Sequence, residues 1–208
     1  MKGSLTVVGF FLLGCLLGRS DVLPGAVLEN NLTIHVLYIL MFLVGLSIGS
    51  DEKLKQILSG IRPQLLLLPL STIIGTLSFT ALISLFISEW SVFDCLAVGS
   101  GFAYYSLSSI LITEMKTASL GVQAATELGT IALIANIIRE IFALLGAPLF
   151  ARYFGRLAPI SAGGATTMDT TLPVITRYSG KDLVFVAILH GILVDLSVPF
   201  FVSFFCSF

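Results

Sequence analysis

The stretch at residues 126–146, TELGTIALIANIIREIFALLG, constrains this chain more than any other. It is apolar and long enough to cross a bilayer, which takes about 20 residues. Yet Asn136, Arg139 and Glu140 sit near its middle. A charge at the centre of a membrane helix costs about 2.5–3.5 kcal/mol on insertion scales. Such residues face a bundle interior or a wet cavity, and their default reading is a substrate or ion site. The plainer alternative is a structural charge pair with a neighbouring helix. Asn136 and Glu140 are spaced i, i+4 and share one helix face. Arg139 and Glu140 are adjacent and point about 100° apart, so they need not pair with each other.

Composition decides what surrounds that helix. Of the 208 residues, 56% are hydrophobic and only 11% are charged, with a mean hydropathy of +1.03. A soluble domain carries about 25% charged residues. This chain cannot cover itself with charge, so its solvent is the lipid bilayer. A net charge of −1 argues against a nucleic-acid partner. Cys15, Cys95 and Cys206 are dispersed and odd in number, and form neither a disulfide framework nor a metal spacing. The reading calls for no cofactor and no metal.

Around the central helix the chain alternates apolar and punctuated segments. Residues 4–17 read as a first span. Leu12-Leu13-Gly14-Cys15 resembles a lipoprotein cleavage box, but more spans follow and no soluble domain does. Residues 20–31 form a loop, and 32–49 a second span whose small residues allow close packing. The loop 50–62 carries Lys53, Lys55 and Arg62, which marks it as cytoplasmic. Residues 63–87 are a third span, whose Ser and Thr side chains can bond back onto their own helix. A short loop at 88–94 carries Trp90 as an interface anchor. Glu127 is expected in the first turn of the central helix, near the positive end of its dipole. Residues 147–158, with Pro148, Arg152 and Arg156, read as a second basic loop. Residues 181–208 supply the last span, with His190 as a core histidine and Asp195 as a further functional candidate.

Two segments invite a broken or re-entrant reading, beside the plainer ones of an ordinary span with small packed residues for 95–113 and an extramembrane loop for 159–180. In residues 95–113, CLAVGSGFAYYSLSSILIT, Gly99, Ser100 and Gly101 invite a break, and Tyr104, Tyr105, Ser106, Ser108 and Ser109 supply hydroxyls. In residues 159–180, PISAGGATTMDTTLPVITRYSG, Gly163 and Gly164 free the backbone and Pro173 forbids a regular helix interior. Thr166, Thr167, Thr170 and Thr171 offer hydroxyls there, and Asp169 offers a carboxylate or an N-cap. Broken membrane helices are tolerated only against protein or water, and transporters use them to bind substrate and coupling ions. Loop charge agrees. If 95–113 enters and returns, Arg152 and Arg156 fall on the same side as the 50–62 loop. The expected fold is an all-α polytopic membrane protein, one transmembrane domain over 1–208. It has about five full transmembrane helices plus two broken or re-entrant segments, 95–113 and 159–180.

Three motifs in this order, GSGFAYYSLSSILITE at 99–114, ANIIRE at 135–140 and GGATTMDTTLPV at 163–174, resemble the bacterial lysine exporter family LysO. The resemblance runs from the first span to the C-terminus. It implies a multi-pass protein of the bacterial inner membrane that exports L-lysine and close analogues, with a proton or sodium gradient as the energy source. By position Glu140 matches the acid of the family's Arg-Glu pair, Asp169 the acid of its GGAT-x-MD loop, and Tyr105-Ser106 its Tyr-Ser pair. Family members commonly carry further N-terminal spans, which implies a small membrane protein as partner.

The residues themselves suit a cationic amino acid. Glu140 and Asp169 can meet its ammonium groups, while backbone N–H groups at a helix start suit its carboxylate. Glu140 also fits a proton carrier, because desolvation favours the neutral acid. Two other classes stand beside this reading. An intramembrane enzyme needs a nucleophile beside a base, and no spacing places Ser106 and His190 together. A non-transporting membrane scaffold or subunit leaves two polar breaks and the central charges without a use.

Overall fold

In the computed structural model residues 63–208 are described continuously, together with Leu13, Gly14, Leu16, Leu17, Ile39, Phe42 and Leu46. The spans expected at 4–17 and 32–49, with the loops at 20–31 and 50–62, otherwise lie outside the described residues.

The described residues form helices and turns, with no strand among them. A 3-10 turn at Pro63–Leu66 leads into α1, Leu67–Ser84. The expected loop at 88–94 ends early because Ser91 and Asp94 form a reciprocal capping box. It starts α2, Val92–Gly99. After a break comes α3, Tyr105–Leu120, which ends at Gly121 with φ of +82°. Trp90, expected as an interface anchor, is partly buried and packs one face against the core.

Helix α4 runs over Val122–Phe154 and absorbs the basic loop expected at 147–158. Pro148 lies inside it. The proline removes one hydrogen bond, to the carbonyl four residues earlier, but the apolar run on both sides keeps the chain helical. The helix also begins earlier than expected, so Glu127 is exposed beyond the first turn, which holds no acid. At 33 residues α4 is about 50 Å long, more than the roughly 30 Å of a hydrocarbon core. Then follow α5, Ala158–Gly163, a 3-10 segment Gly164–Met168, α6, Leu172–Ser179, a 3-10 turn Lys181–Leu183, and α7, Val184–Cys206. Pro173, expected to break a helix, stands in the first turn of α6, where its missing N–H costs nothing.

Side-chain contacts fix the topology. Lys116, near the end of α3, is 2.7 Å from Asp94 at the start of α2. The two helices therefore run into the bundle and back out at one end. At the opposite end Arg156 donates to the Ser179 carbonyl and pairs with Asp182. That closes α5 and α6 into a second hairpin of opposite direction. Both segments expected to be broken thus fold back as hairpins within the described bundle. Three elements are long and apolar enough to span a membrane, α1, α4 and the 181–206 stretch. Only 17% of α1 is buried against 44% of each of the others, so α1 lies at the edge of the described bundle. The core sits where the first hairpin meets α4 and α7, around Phe102, Leu107, Ile112, Leu128, Val194 and Val198.

The Lys116–Asp94 pair is almost fully buried, its side chains 4% and 6% exposed. Removing one member of such a pair costs about 3–5 kcal/mol because the other charge is stranded. Lys116→Met is therefore expected to lose stability of that order, read as a lower thermal unfolding midpoint in detergent. Adding Asp94→Asn, which can still cap α2, is expected to recover most of the loss. Equal midpoints for Lys116→Met and the parent protein would show that the pair does not hold the hairpin.

Candidate functional site

The two hairpins meet tip to tip. The first breaks at 100–104, where Phe102 and Ala103 take φ of +43° and +76°. Such angles cost a residue with a Cβ about 1–3 kcal/mol and persist only where the surroundings impose them. The second breaks around Gly164, with φ of +60°. The Ala165 N–H donates to the Phe102 carbonyl at 2.9 Å, joining the two tips directly. A Cβ on Gly164 would run into that same carbonyl oxygen. Only glycine combines the left-handed angle with so close an approach.

Helix α4 holds both tips from one side. Asn136 Oδ1 accepts from the Ala103 N–H at 2.7 Å, while Nδ2 donates to Ala132 O at 2.8 Å and Val98 O at 3.4 Å. Arg139 donates through Nε to Ala162 O and through Nη2 to Ser161 O, both at 3.2 Å, and through Nη1 to Thr76 Oγ1 at 3.2 Å. Its guanidinium also lies 6.0 Å from the centre of the Phe102 ring. The carbonyls at the end of α5 lack helical partners, and Arg139 supplies them. These two residues therefore position the breaks, and Arg139 binds carbonyls rather than a carboxylate.

The hydroxyls act within a second network. Thr166 Oγ1 donates to Gly163 O at 2.8 Å, and Thr171 Oγ1 to Thr166 O at 3.0 Å. Thr167 Oγ1 donates to Ala187 O at 2.8 Å and lies 3.2 Å from His190 Nδ1. His190 Nε2 is 3.0 Å from Thr72 Oγ1, itself 2.7 Å from Ser161 Oγ. Thr72 and Thr76 are thus more than back-bonded helix hydroxyls, against the sequence expectation for 63–87. Their four-residue spacing puts them on one face of α1, the signal that would have found them.

The acidic candidates come from three different elements. Glu140 is fully buried on α4 and Asp195 is 4% exposed on α7. Asp169 is exposed at the turn that follows the second tip. Asp169 lies within electrostatic range of both Glu140 and Asp195. Tyr104 is within range of Asp169 and Asp195, a residue singled out in the sequence only as one hydroxyl among several. Tyr105 and Ser106 are half-buried in the first turn of α3. Asn136, Arg139, Thr166 and Thr167 thus hydrogen-bond the backbone of the breaks or of the helix beside them, whereas Glu140, Asp169, Asp195 and Tyr104 are not part of those networks. Two cavities of about 320 and 380 Å³ flank Arg139 between α1 and the hairpins. Among the described residues no cluster of three or more His, Cys, Asp or Glu has the arrangement of a metal site.

The Gly164 contact is testable. Gly164→Ala is expected to separate the tips and to lower stability by at least the roughly 1–3 kcal/mol of a strained residue. The readout is the thermal midpoint and monodispersity of the purified protein. An unchanged midpoint would show that the tips do not depend on this approach.

The family model described as lysine exporter LysO matches residues 8–206. The lysine exporter LysO of Escherichia coli K12 is 34% identical over 98% of this chain and 64% of that protein. A protein of Haemophilus influenzae Rd, named as a candidate lysine exporter, is 32% identical over 86% of each chain. The chain thus spans 64% of the length of its E. coli relative. No solved structure matches it.

Proposed function

The chain belongs to the lysine exporter LysO family, and we propose on that premise that it exports L-lysine and close cationic analogues. It does so across the bacterial inner membrane, as a multi-pass protein driven by an ion gradient. The observation that carries this reading is the meeting of two oppositely directed, broken hairpins beside the buried Glu140 and the exposed Asp169. Discontinuous helices at the middle of the bundle are how secondary transporters expose backbone groups to substrate. The side-chain and α-ammonium groups of lysine meet Glu140 and Asp169. Its carboxylate meets the first turn of α3 at Tyr105 and Ser106, where helix N–H groups and the dipole favour an anion. Opposed hairpins also suit alternating access, in which one repeat moves against the other around a central site.

Orientation follows from charge. Arg152, Arg156, Arg177 and Lys181 gather at one end of the bundle, while Glu89, Asp94, Glu114 and Glu127 lie toward the other. By the positive-inside rule the basic end faces the cytoplasm. The working unit in this proposal also includes a small membrane protein packed on the described helices, consistent with the sparse burial of α1.

The transport test is lysine efflux from proteoliposomes, with the chain alone and with the partner that co-purifies in mild detergent. Glu140→Gln is expected to abolish efflux while leaving insertion and amount in the membrane unchanged. Efflux at the parent rate by that variant would remove Glu140 from the site. Full export by the chain alone would dispense with the partner.

Orientation is checked in whole cells with single cysteines in a cysteine-free background. A cysteine in place of Arg152 is expected to be shielded from an impermeant thiol reagent added outside, and one in place of Glu89 to be labelled. The reverse pattern would invert the topology.

A further inference from the structure

Helix α1 meets the rest of the bundle across a row of hydroxyls. Thr72, Thr76 and Thr80 are four residues apart and share one helix face. Thr72 is engaged by His190, by Ser161 and by its own Leu68 carbonyl. Thr76 accepts from Arg139 Nη1. Thr80 lies over Gly99, where a Cβ would come within 2.5 Å of its Oγ1. Among the described residues neither Thr76 nor Thr80 donates its hydroxyl hydrogen. Both face a cavity of about 320 Å³ enclosed by α1, α2 and α4.

The cavity has two unlike ends. Ile83, Ile87 and Trp90 form one, faced by Leu128 and Ile131 of α4. Thr76, Thr80 and Arg139 form the other. That polar end offers donors. A guanidinium carries five N–H groups, and Arg139 commits three of them, to Thr76 Oγ1, Ser161 O and Ala162 O. One N–H on each terminal nitrogen is left over. Among the described residues Arg139 is in no ion pair, and a charge held away from water needs a counter-charge. An apolar wall with a few converging polar groups is the usual form of a small-molecule site. Donors gathered at one end select an anion, and a carboxylate accepts from two N–H groups of one guanidinium at once.

We propose that this cavity binds a small amphiphilic carboxylic acid, a medium-chain fatty acid in its simplest form. The carboxylate sits at Arg139, Thr76 and Thr80, and the chain lies along Ile83, Leu128 and Trp90. The site goes beyond the lysine-export reading and does not depend on it. Ile83, Ile131 and Ala135 line the cavity yet are exposed, so it opens sideways between α1 and α4 and the acid enters from the bilayer. Arg139 also holds the carbonyls at the end of α5, so an occupant bears on α1 and on the second hairpin together.

Trp90 is the only tryptophan in the chain and lines the cavity, so its fluorescence reports occupancy. The purified protein in lipid nanodiscs is titrated with decanoate brominated at its terminal carbon, since bromine quenches indole emission on contact. Saturable quenching is expected, reversed by unbrominated decanoate. Decanol and decylamine, of the same length without the anion, are expected to displace it about tenfold less well. Thr80→Val, which keeps the shape and removes one donor, is expected to weaken binding by about tenfold. Ala135→Phe, which fills the cavity, is expected to abolish the saturable phase. Quenching that rises linearly and is not reversed by decanoate would be partition into the lipid alone and would overturn the proposal. So would equal displacement by decanol. Both results are read on the parent protein and stand even if a variant fails to fold. Undiminished saturable binding by Ala135→Phe would place the acid elsewhere and overturn it too. No arm contains lysine, so failure of the export reading shows separately, as absent efflux.

Discussion

Breaking a helix inside an apolar bundle exposes backbone N–H and C=O groups that water cannot reach, and each must find a partner within the protein. Here the two breaks answer this demand jointly. The Ala165 N–H bonds to the Phe102 carbonyl, so each tip completes the other. The positive φ of Phe102 and Ala103, the glycine at 164 and the tip-to-tip placement of the hairpins all follow from that junction. An ordinary span at either position would have satisfied its own backbone and left nothing to meet a ligand.

The polar residues of α4 then divide by role. Asn136 and Arg139 spend their hydrogen bonds on carbonyls and an N–H of the two breaks. Those bonds hold the irregular backbone of the two breaks in place. Glu140 is buried on the same helix, where it shares electrostatic surroundings with Asp169. Adjacent residues with such different duties arise because neighbours on a helix point about 100° apart. One faces the second hairpin's carbonyls and the other the acidic group.

Much of this arrangement is legible in the chain itself. Gly99, Gly101, Gly163 and Gly164 mark the breaks, because glycine in a run of apolar residues has no helical advantage. Loop charge suggested that 95–113 returns to the side it entered, and the Lys116–Asp94 contact agrees. Other features were misread for identifiable reasons. Pro148 and the arginines after it suggested a loop at 147–158, yet one proline removes only one hydrogen bond and the apolar context carried α4 through to Phe154. The hydroxyls of α1 looked self-satisfied, yet Thr72 and Thr76 reach His190, Ser161 and Arg139.

The sequence by itself determined that the chain is an all-helical membrane protein and which two segments break. Composition and glycine placement are local properties, so they can be read without coordinates. Only the tertiary structure decided which polar groups meet. That the tips of two hairpins some 60 residues apart in the chain share a hydrogen bond depends on opposite directions of entry. That Arg139 binds carbonyls depends on which helix faces pack together. Those pairings are set by long-range packing, for which no short stretch of sequence carries a signature.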